Sequence, residues 1–363
     1  MLTRVRAAVA EIVDAGWAPG ITIDTTEGPD AYLYGEETAL LEVINGRQPF
    51  PRLAPPWRRG ADDVGDHTAQ AADIEMAGDS TDADAAPPAL VDNVDTLANV
   101  PAIVLEGPSW FRSIGTAESP GSIVITVTGR SVHGGVAEVA MGTTLAAAIE
   151  QIGGAPAVSI AGVLPGVSGP VVSADRLDTP LTYEAMSAIG SSLGAGAYLV
   201  LDAATDSIAV AHGASRFLAV ESCGQCVACK NDGKAIAEIL DRLRRSEPAP
   251  SDLADLTDRL RTITDGARCY LATQHQLVVQ SFLDRFEHDF AAHAEGSAAP
   301  ADSFLVAEIV DLGPGGVVLD EAHQAKQPDW TFDAEDSGSL PAEQLDQLSG
   351  EAGRTDAQPT APT

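Results

Sequence analysis

The sequence predicts a multidomain α+β protein in which a region of short strands precedes a group of longer helices. The chain has 363 residues and is 45% hydrophobic, which is enough for two or three domains with buried cores. Strand-like segments surround one helical segment between about residues 113 and 205. From about residue 207 the spacing of apolar residues changes to the period of an α-helix.

The N-terminal region combines helical segments with a long acidic interruption. A helix is predicted over residues 3–15, then a short strand at 21–23, and then a turn and helix over 31–41. Residues 61–88 hold eight acidic residues and no Lys or Arg, a composition that cannot bury enough surface to fold. We therefore expect a disordered acidic insertion there, and order again in a helix at about 93–106.

The middle and C-terminal regions differ in their periodicity. Thr143 and Thr144 can cap a helix that continues through Ile149. Predicted strands flank that helix at residues 123–129, 136–139, 157–161, 170–172 and 197–201. Four helices follow near residues 207–221, 226–245, 251–265 and 270–292. Their short connections favour an antiparallel bundle. A small strand pair and a disordered acidic tail are expected after it.

Charge, hydropathy and cysteine content argue against nucleic-acid binding, membrane binding and secretion. The net charge is −32 and the chain has only three lysines, which argues against binding to nucleic acid or to an anionic membrane surface. No apolar run approaches the roughly 20 residues of a spanning helix. Acidic residues at Glu11 and Asp14 interrupt any signal-peptide core. Four cysteines in so long a chain do not make a disulfide scaffold, so we expect a cytoplasmic protein without direct membrane insertion.

The cysteines form the most informative motif. Cys223, Cys226 and Cys229 have C-x2-C-x2-C spacing, and Cys269 lies 40 residues further on. The three lie between the first and second predicted helices, and Cys269 lies at the start of the fourth. An antiparallel bundle brings those places to one end. Because four thiolates are the usual ligands of a [4Fe–4S] cluster, the spacing favours one such cluster and one-electron transfer.

Three further points concern the cysteines and the residues around them. A four-cysteine zinc site remains the alternative on spacing alone. The starts of two predicted helices, together with the cation of Lys230, would partly offset the negative charge of a cluster. His275 lies six residues beyond Cys269, and its spacing suggests only a position on a helix surface.

Several segments resemble one protein family. Residues 221–229 resemble the E-S-C-G-x-C-x-P-C motif of the NADH-oxidising flavoprotein subunit of respiratory complex I, a family that also occurs in NAD-linked hydrogenases and formate dehydrogenases. Residues 32–40 resemble its A-Y-I-C-G-E-E-T-A-L motif, and residues 91–101 resemble V-N-N-V-E-T-L-A-N-V-P. Residues 110–116 also fit, so the resemblance covers roughly residues 1–292 in order.

The resemblance implies a division of the chain and a set of cofactors. It implies the following regions: 1–112, the C-terminal part of an α/β flavin- and NADH-binding-like domain; 113–205, a β-grasp domain of the soluble-ligand-binding type; 206–294, a four-helix [4Fe–4S] bundle; 295–330, the strand pair; and 331–363, the tail. The four cysteines align with the cluster ligands. Glu36 and Glu37 match residues that face flavin and nicotinamide, and Asn93 matches an asparagine near the flavin phosphate. FMN and NAD are thereby implied beside the cluster, with other subunits of an NADH-linked redox complex as partners, at the periphery of a membrane complex.

Departures from the family pattern modify this expectation. The glycine-rich G-R-G-G-x-G-F-P loop of the family lies upstream of its counterpart of Tyr32, and this chain begins too late to contain it. Asp92 replaces one asparagine of the phosphate-side pair, and Ala228 replaces the proline of the cluster motif. We therefore expect an N-terminally truncated or diverged member that does not oxidise NADH alone. The alternatives are a ligand- or partner-binding β-grasp module with a structural cluster, and a full NADH:acceptor oxidoreductase whose N-terminus is missing from this chain.

Overall fold

The computed structural model describes residues 2–29, 31–53, 89–131, 133–154, 159–313 and 316–343. The chain divides into two compact units, Met1–Val91 and Asp92–Thr363. The acidic insertion expected at residues 61–88 lies outside the described residues. Helices and strands mix in the second unit, which agrees with the predicted α+β class.

The first unit contains two α-helices in its described part. Helix α1 spans Leu2–Asp14, and α2 spans Glu37–Ile44 after a 3-10 turn at Tyr32–Gly35. Both helices match the sequence prediction. The strand predicted at residues 21–23 is wrong, because those residues are irregular chain. Three residues with high strand propensity satisfy the local pattern of a strand but supply no partner for its backbone hydrogen bonds.

The second unit begins with helices and continues into a mixed sheet. Helices α3 (Val94–Glu106) and α4 (Pro108–Phe111) lead to the sheet. Its strands are β1 (Ser122–Gly129), β2 (Gly135–Ala140), β3 (Ile160–Leu164), β4 (Val172–Ser173) and β5 (Ala197–Asp202). They lie in the order β2-β1-β5-β3-β4, with β1 and β5 parallel and the other neighbours antiparallel.

One helix covers the core side of this sheet. Helix α5 (Leu145–Gly153) buries Leu145, Ala148 and Ile149 against Ile125 and Val127 of β1 in one apolar cluster. The hydroxyl of Thr144 accepts a hydrogen bond from the Ala147 N–H at 3.2 Å, which is the predicted cap. The short α6 (Tyr183–Ala188) follows β4. The strand predicted at residues 157–161 begins instead at Ile160, and residues 155–158 lie outside the described part.

Helices then dominate the chain. They are α7 (Ser207–Glu221), α8 (Val227–Arg244), α9 (Asp252–Thr262), α10 (Leu271–Arg285) and α11 (Glu287–Ala294). Helix α7 is central, since every residue in it except Arg216 is buried. The predicted fourth helix is divided at Phe286, where the backbone leaves the helical conformation. None of the described helices is both long and apolar enough to cross a bilayer.

The C-terminal region is more ordered than its composition predicts. Strands β6 (Ile309–Gly313) and β7 (Gly316–Leu319) form the expected antiparallel pair. The prediction of disorder from residue 331 is wrong up to residue 343, because the structure describes these residues and gives them specific contacts. The carboxylate of Asp329, which is 1% exposed, accepts hydrogen bonds from the backbone N–H groups of Thr331 and Ser337 at 3.0 and 2.8 Å. Residues 344–363 lie outside the described part.

Candidate iron–sulfur site

The loop between α7 and α8 carries three of the four cysteines. Helix α7 ends at Glu221, and Cys226 is the residue that precedes the first turn of α8. Gly224 has a φ of +84°, and a Cβ atom there would lie 3.0 Å from the Cβ of Leu340. Glycine therefore suits the sharp turn after Cys223, and a larger residue would be strained.

The four cysteine thiols differ in how far they are exposed to solvent. Cys223 and Cys229 are buried, whereas Cys226 and Cys269 are half-buried, and none of them forms a disulfide. Burial raises the pKa of the Cys229 thiol to about 11, and burial also raises the pKa of Cys223. Without a metal both thiols stay protonated at neutral pH, so they are poor nucleophiles. Binding of a metal would release their protons.

Polar side chains contact two of the thiols. The hydroxyl of Ser222 lies 3.3 Å from the sulfur of Cys229, and the amide of Gln225 donates to the sulfur of Cys223 at 3.5 Å. Donors to sulfur favour the thiolate and lower the energy of a negatively charged site.

The segment with the fourth cysteine lies beside this loop. Arg268, the residue before Cys269, donates a hydrogen bond from Nη1 to the side-chain oxygen of Gln225 at 3.2 Å. Gln225 lies between Cys223 and Cys226 in the loop. The start of α10 and the connection between α7 and α8 therefore share one end of the helical region. Within the described ranges, no three His, Cys, Asp or Glu side chains form a set that could hold a metal ion.

A lysine is buried directly after the third cysteine. Lys230 is 1% exposed, and its ammonium donates to the carbonyls of Ala219, Ser222 and Pro328 at 3.0, 2.7 and 2.5 Å. Burial lowers the pKa of Lys230 to about 8. A positive charge surrounded by neutral carbonyls favours an anion nearby, and a centre with four thiolates is such an anion. The buried charge of Lys230 therefore suits a negatively charged cluster in the adjacent loop.

A second buried polar group lies at the end of α7. Glu221 is 2% exposed and accepts hydrogen bonds from Nε2 of His323 at 2.9 Å and from Nζ of Lys326 at 2.6 Å. Burial pushes the pKa of Glu221 up, but His323 and Lys326 outweigh it, so the pKa lies below its ordinary value. The ring N–H of Trp330 donates to the carbonyl of Val220 at 2.7 Å.

Sequence reasoning missed these C-terminal contacts. Segment 320–343, named here the C-terminal strap, reaches the cysteine loop through a hydrogen bond from the Ala342 N–H to the carbonyl of Cys223 at 2.9 Å. One signal was available in the sequence: the chain has only three lysines, and one of them, Lys326, is in the strap. A rare residue type in an otherwise acidic region suggests a specific ion pair.

His275 is not on a helix surface as expected. It is fully buried on α10, and its Nε2 lies 2.7 Å from the hydroxyl of Ser215. Burial lowers the pKa of His275 to about 3, so the ring is neutral at physiological pH. Sequence spacing alone placed this ring on the wrong side of its helix.

The residues matched to flavin and nicotinamide sites lie in different units. Glu36 caps α2, because its Oε2 accepts from the N–H groups of Thr38 and Ala39 at 3.1 and 2.8 Å. Glu37 is exposed in the first turn of α2. Asn93 precedes α3 in the second unit, and its side chain makes no capping hydrogen bond.

Comparisons with known proteins identify the family of the helical region. The family model for the NADH-ubiquinone oxidoreductase-F iron-sulfur binding region matches residues 209–293. The F subunit of the NADH-quinone oxidoreductase of Mycobacterium tuberculosis (strain ATCC 25618 / H37Rv) is 32% identical over 324 residues, which are 86% of this chain and 68% of the relative. The NADP-reducing hydrogenase subunit HndC of Solidesulfovibrio fructosivorans is 32% identical over 286 residues, 77% of this chain and 53% of the relative.

A solved structure shares the fold. The crystal structure of an NAD+-reducing [NiFe]-hydrogenase in the H2-reduced state matches with a TM-score of 0.67 and 27% identity, and the match covers 80% of this chain. The chain spans about half of that hydrogenase chain, because 47% of it is covered. Because the motifs, the matched iron–sulfur region and the relatives at 32% identity all agree, the chain belongs to the family of the F subunits of NADH-quinone oxidoreductases.

Proposed function

We propose that this protein transfers single electrons through one [4Fe–4S] cluster held by Cys223, Cys226, Cys229 and Cys269. The observation that carries the proposal is the hydrogen bond between Arg268 and Gln225, which brings the segment of the fourth cysteine beside the loop of the other three. Thiolates at these positions fit the ligand set of such a cluster. When bound, the cluster would supply a one-electron couple.

The surroundings of the cysteine loop would stabilise and partly cover a redox centre. Cys226 and Cys229 lie at the N-terminal end of α8, where backbone N–H groups have no partner within the helix and favour negative charge. The loop is covered on one side by the C-terminal strap. Val227 and Tyr270 are 69% and 58% exposed, and each directly follows a half-buried cysteine. We propose that electrons enter and leave near these two exposed residues.

The domain organisation is proposed on the same basis. Residues 113–205 would be a β-grasp domain, since the strand order β2-β1-β5-β3-β4 with one covering helix suits that fold. Residues 206–294 would be the cluster-binding helical domain, which nearly coincides with the matched region 209–293. Residues 1–112 would be the C-terminal part of a flavin- and NADH-binding-like domain.

We assign this chain no reaction with flavin or nicotinamide. In the described residues, Glu36 makes the contacts of a helix cap, and the backbone N–H of Asn93 donates to the carboxylate of Asp92 at 2.8 Å. A carboxylate at that place would repel a flavin phosphate. We propose that other subunits of an NADH-linked redox complex supply the electrons, since the relatives are themselves named as subunits.

Metal analysis and spectroscopy test the proposal. Protein purified without oxygen should contain about four irons and four sulfides per chain and show the electron paramagnetic resonance of a reduced cluster. Cys269→Ser should lose most of the iron and sulfide, whereas Ser303→Ala, at an exposed position outside the site, should retain them. Stoichiometric zinc without sulfide would refute the cluster. One flavin per chain together with NADH-driven dye reduction would instead favour a complete NADH:acceptor oxidoreductase.

A further inference from the structure

Lys230 carries a buried positive charge whose hydrogen-bond acceptors in the described residues are all backbone carbonyls, with the carboxylate of Asp336 acting on it only through space. Its ammonium lies within hydrogen-bond distance of four backbone carbonyls, those of Ala219, Val220, Ser222 and Pro328, at 2.5 to 3.4 Å. All four acceptors are neutral. Removing a charge from water costs free energy unless an opposite charge compensates it. The buried ammonium of Lys230 therefore favours a negatively charged group close to it.

The position of Lys230 indicates where a compensating negative charge would lie. Lys230 follows Cys229 in the first turn of α8, and its ammonium donates to the carbonyl of Ser222, the residue before Cys223, at 2.7 Å. Three of its four carbonyls come from the end of α7, where the helix dipole is negative. Unneutralised, that end would repel an anionic centre in the adjoining loop. The ammonium lies among those carbonyls and cancels their effect.

The fourth carbonyl comes from a different part of the chain. Pro328 lies in the C-terminal strap, outside the region 209–293 that matches the iron–sulfur family model. Trp330 fixes this part of the strap by donating to the carbonyl of Val220 at 2.7 Å. The strap thus completes the coordination of the Lys230 ammonium, and it separates that ammonium from solvent.

We propose that Lys230 is the buried counter-cation of the iron–sulfur cluster and raises its reduction potential. This inference rests on the proposed function. Reduction adds one electron from an external donor and makes the cluster more negative, while no covalent bond of Lys230 changes. A nearby fixed positive charge stabilises the reduced cluster more than the oxidised one, because Coulomb attraction grows with the charge. Lys230 is thus a residue that acts through the cluster and touches no substrate.

Potentiometry on lysine variants tests this role. The full chain would be reconstituted with iron and sulfide without oxygen, and reduction would be followed by electron paramagnetic resonance during titration with dithionite. Lys230→Met should lower the equilibrium constant for reduction at least tenfold, which for one electron is about 59 mV. Lys230→Arg keeps the charge and should stay within threefold of the parent protein.

Lys234 provides the matched control. It lies one turn further along α8, and its ammonium pairs with the carboxylate of Asp336 at 2.5 Å. Lys234→Met removes the same formal charge from the same helix but not from the carbonyl array, so it should shift the equilibrium less than threefold. An equal shift in Lys230→Met and Lys234→Met would overturn the proposal, because long-range charge alone would then account for it.

The remaining outcomes are also decisive. A Lys230→Met protein with a full cluster and an unchanged potential would overturn the proposal. If Lys230→Met fails to retain iron while Lys230→Arg retains it, and circular dichroism shows both to be folded, the charge is needed to hold the cluster and the proposal is supported. Loss of iron from both folded variants would overturn it. Parent protein without iron or sulfide would refute the proposed function itself, before any potential is measured.

Discussion

Acidification is expected to destabilise the second unit through one buried histidine, His275. The ring is 0% exposed, and burial lowers its pKa to about 3, whereas the ordinary value is 6.5. Below pH 6.5 the unfolded chain therefore binds a proton that the folded chain excludes. Stability is fully present above that pH and falls as the pH decreases towards 3.

The size of this effect follows from the two pKa values. One pKa unit corresponds to about 1.36 kcal/mol, so lowering the pH from 7 to 5 should cost about 2 kcal/mol through His275 alone. His275→Asn removes the titration. It also leaves a small cavity, because a Cβ atom on Gly233 would lie only 3.3 Å from the imidazole, so the packing there is tight. The cavity lowers stability at every pH, while the titration affects only its slope.

Urea unfolding at several pH values measures this slope. The free energy of unfolding of the parent protein should fall by about 2 kcal/mol more between pH 7 and 5 than that of His275→Asn. His288→Asn is the control, since it makes the same substitution at an exposed position of α11. Parallel curves for the parent and His275→Asn would refute the argument, because His275 would then titrate alike in both states.

Three other predictions concern the loop and the strap. Gly224→Ala should lower the free energy of unfolding by roughly 1–2 kcal/mol in urea, because its φ of +84° is unfavourable for a residue with a Cβ; no change would mean that the turn adapts. Trp330→Phe removes the 2.7 Å hydrogen bond to Val220, worth about 1 kcal/mol, and limited proteolysis should cleave the strap faster than in the parent. Burial raises the pKa of Asp329, but hydrogen bonds from Ser337 and Thr331 outweigh it and lower the pKa below its usual 3.8. The stabilisation that the Asp329 carboxylate provides is therefore present above about pH 4 and is lost below it. In Asp329→Asn, stability should depend less on pH in the acid range, as followed by circular dichroism.

The helical part of the fold could be read from the sequence because its signals are local. Apolar periodicity located α7 to α10 within a few residues, and it correctly predicted that the α7–α8 connection and the start of α10 share one end. The break at Phe286 was missed, since apolar residues continue across it. His275 was misplaced because α10 is packed on more than one side, so a polar residue on it can still be buried.

The environment of Lys230 and the order of the strap could not be predicted. Lys230 is held by backbone carbonyls, and carbonyls carry no sequence signal. The strap is held by separate contacts from His323, Lys326, Trp330 and Ala342, with no repeat that a pattern could reveal. Its composition is acidic and polar, which usually indicates disorder. Tertiary contacts outweighed composition in this segment.

The near-complete burial of α7 has a consequence for hydrogen exchange. Because 14 of its 15 residues are buried, no partial opening exposes its amides while the neighbouring helices stay in place. Deuterium uptake by α7 should therefore be the slowest of the described helices and should report the global unfolding of the second unit. The cysteine loop begins directly at the end of α7. A loss of protection at the last turn of α7, on removal of iron, would then measure how strongly the metal centre is linked to the stability of the whole unit.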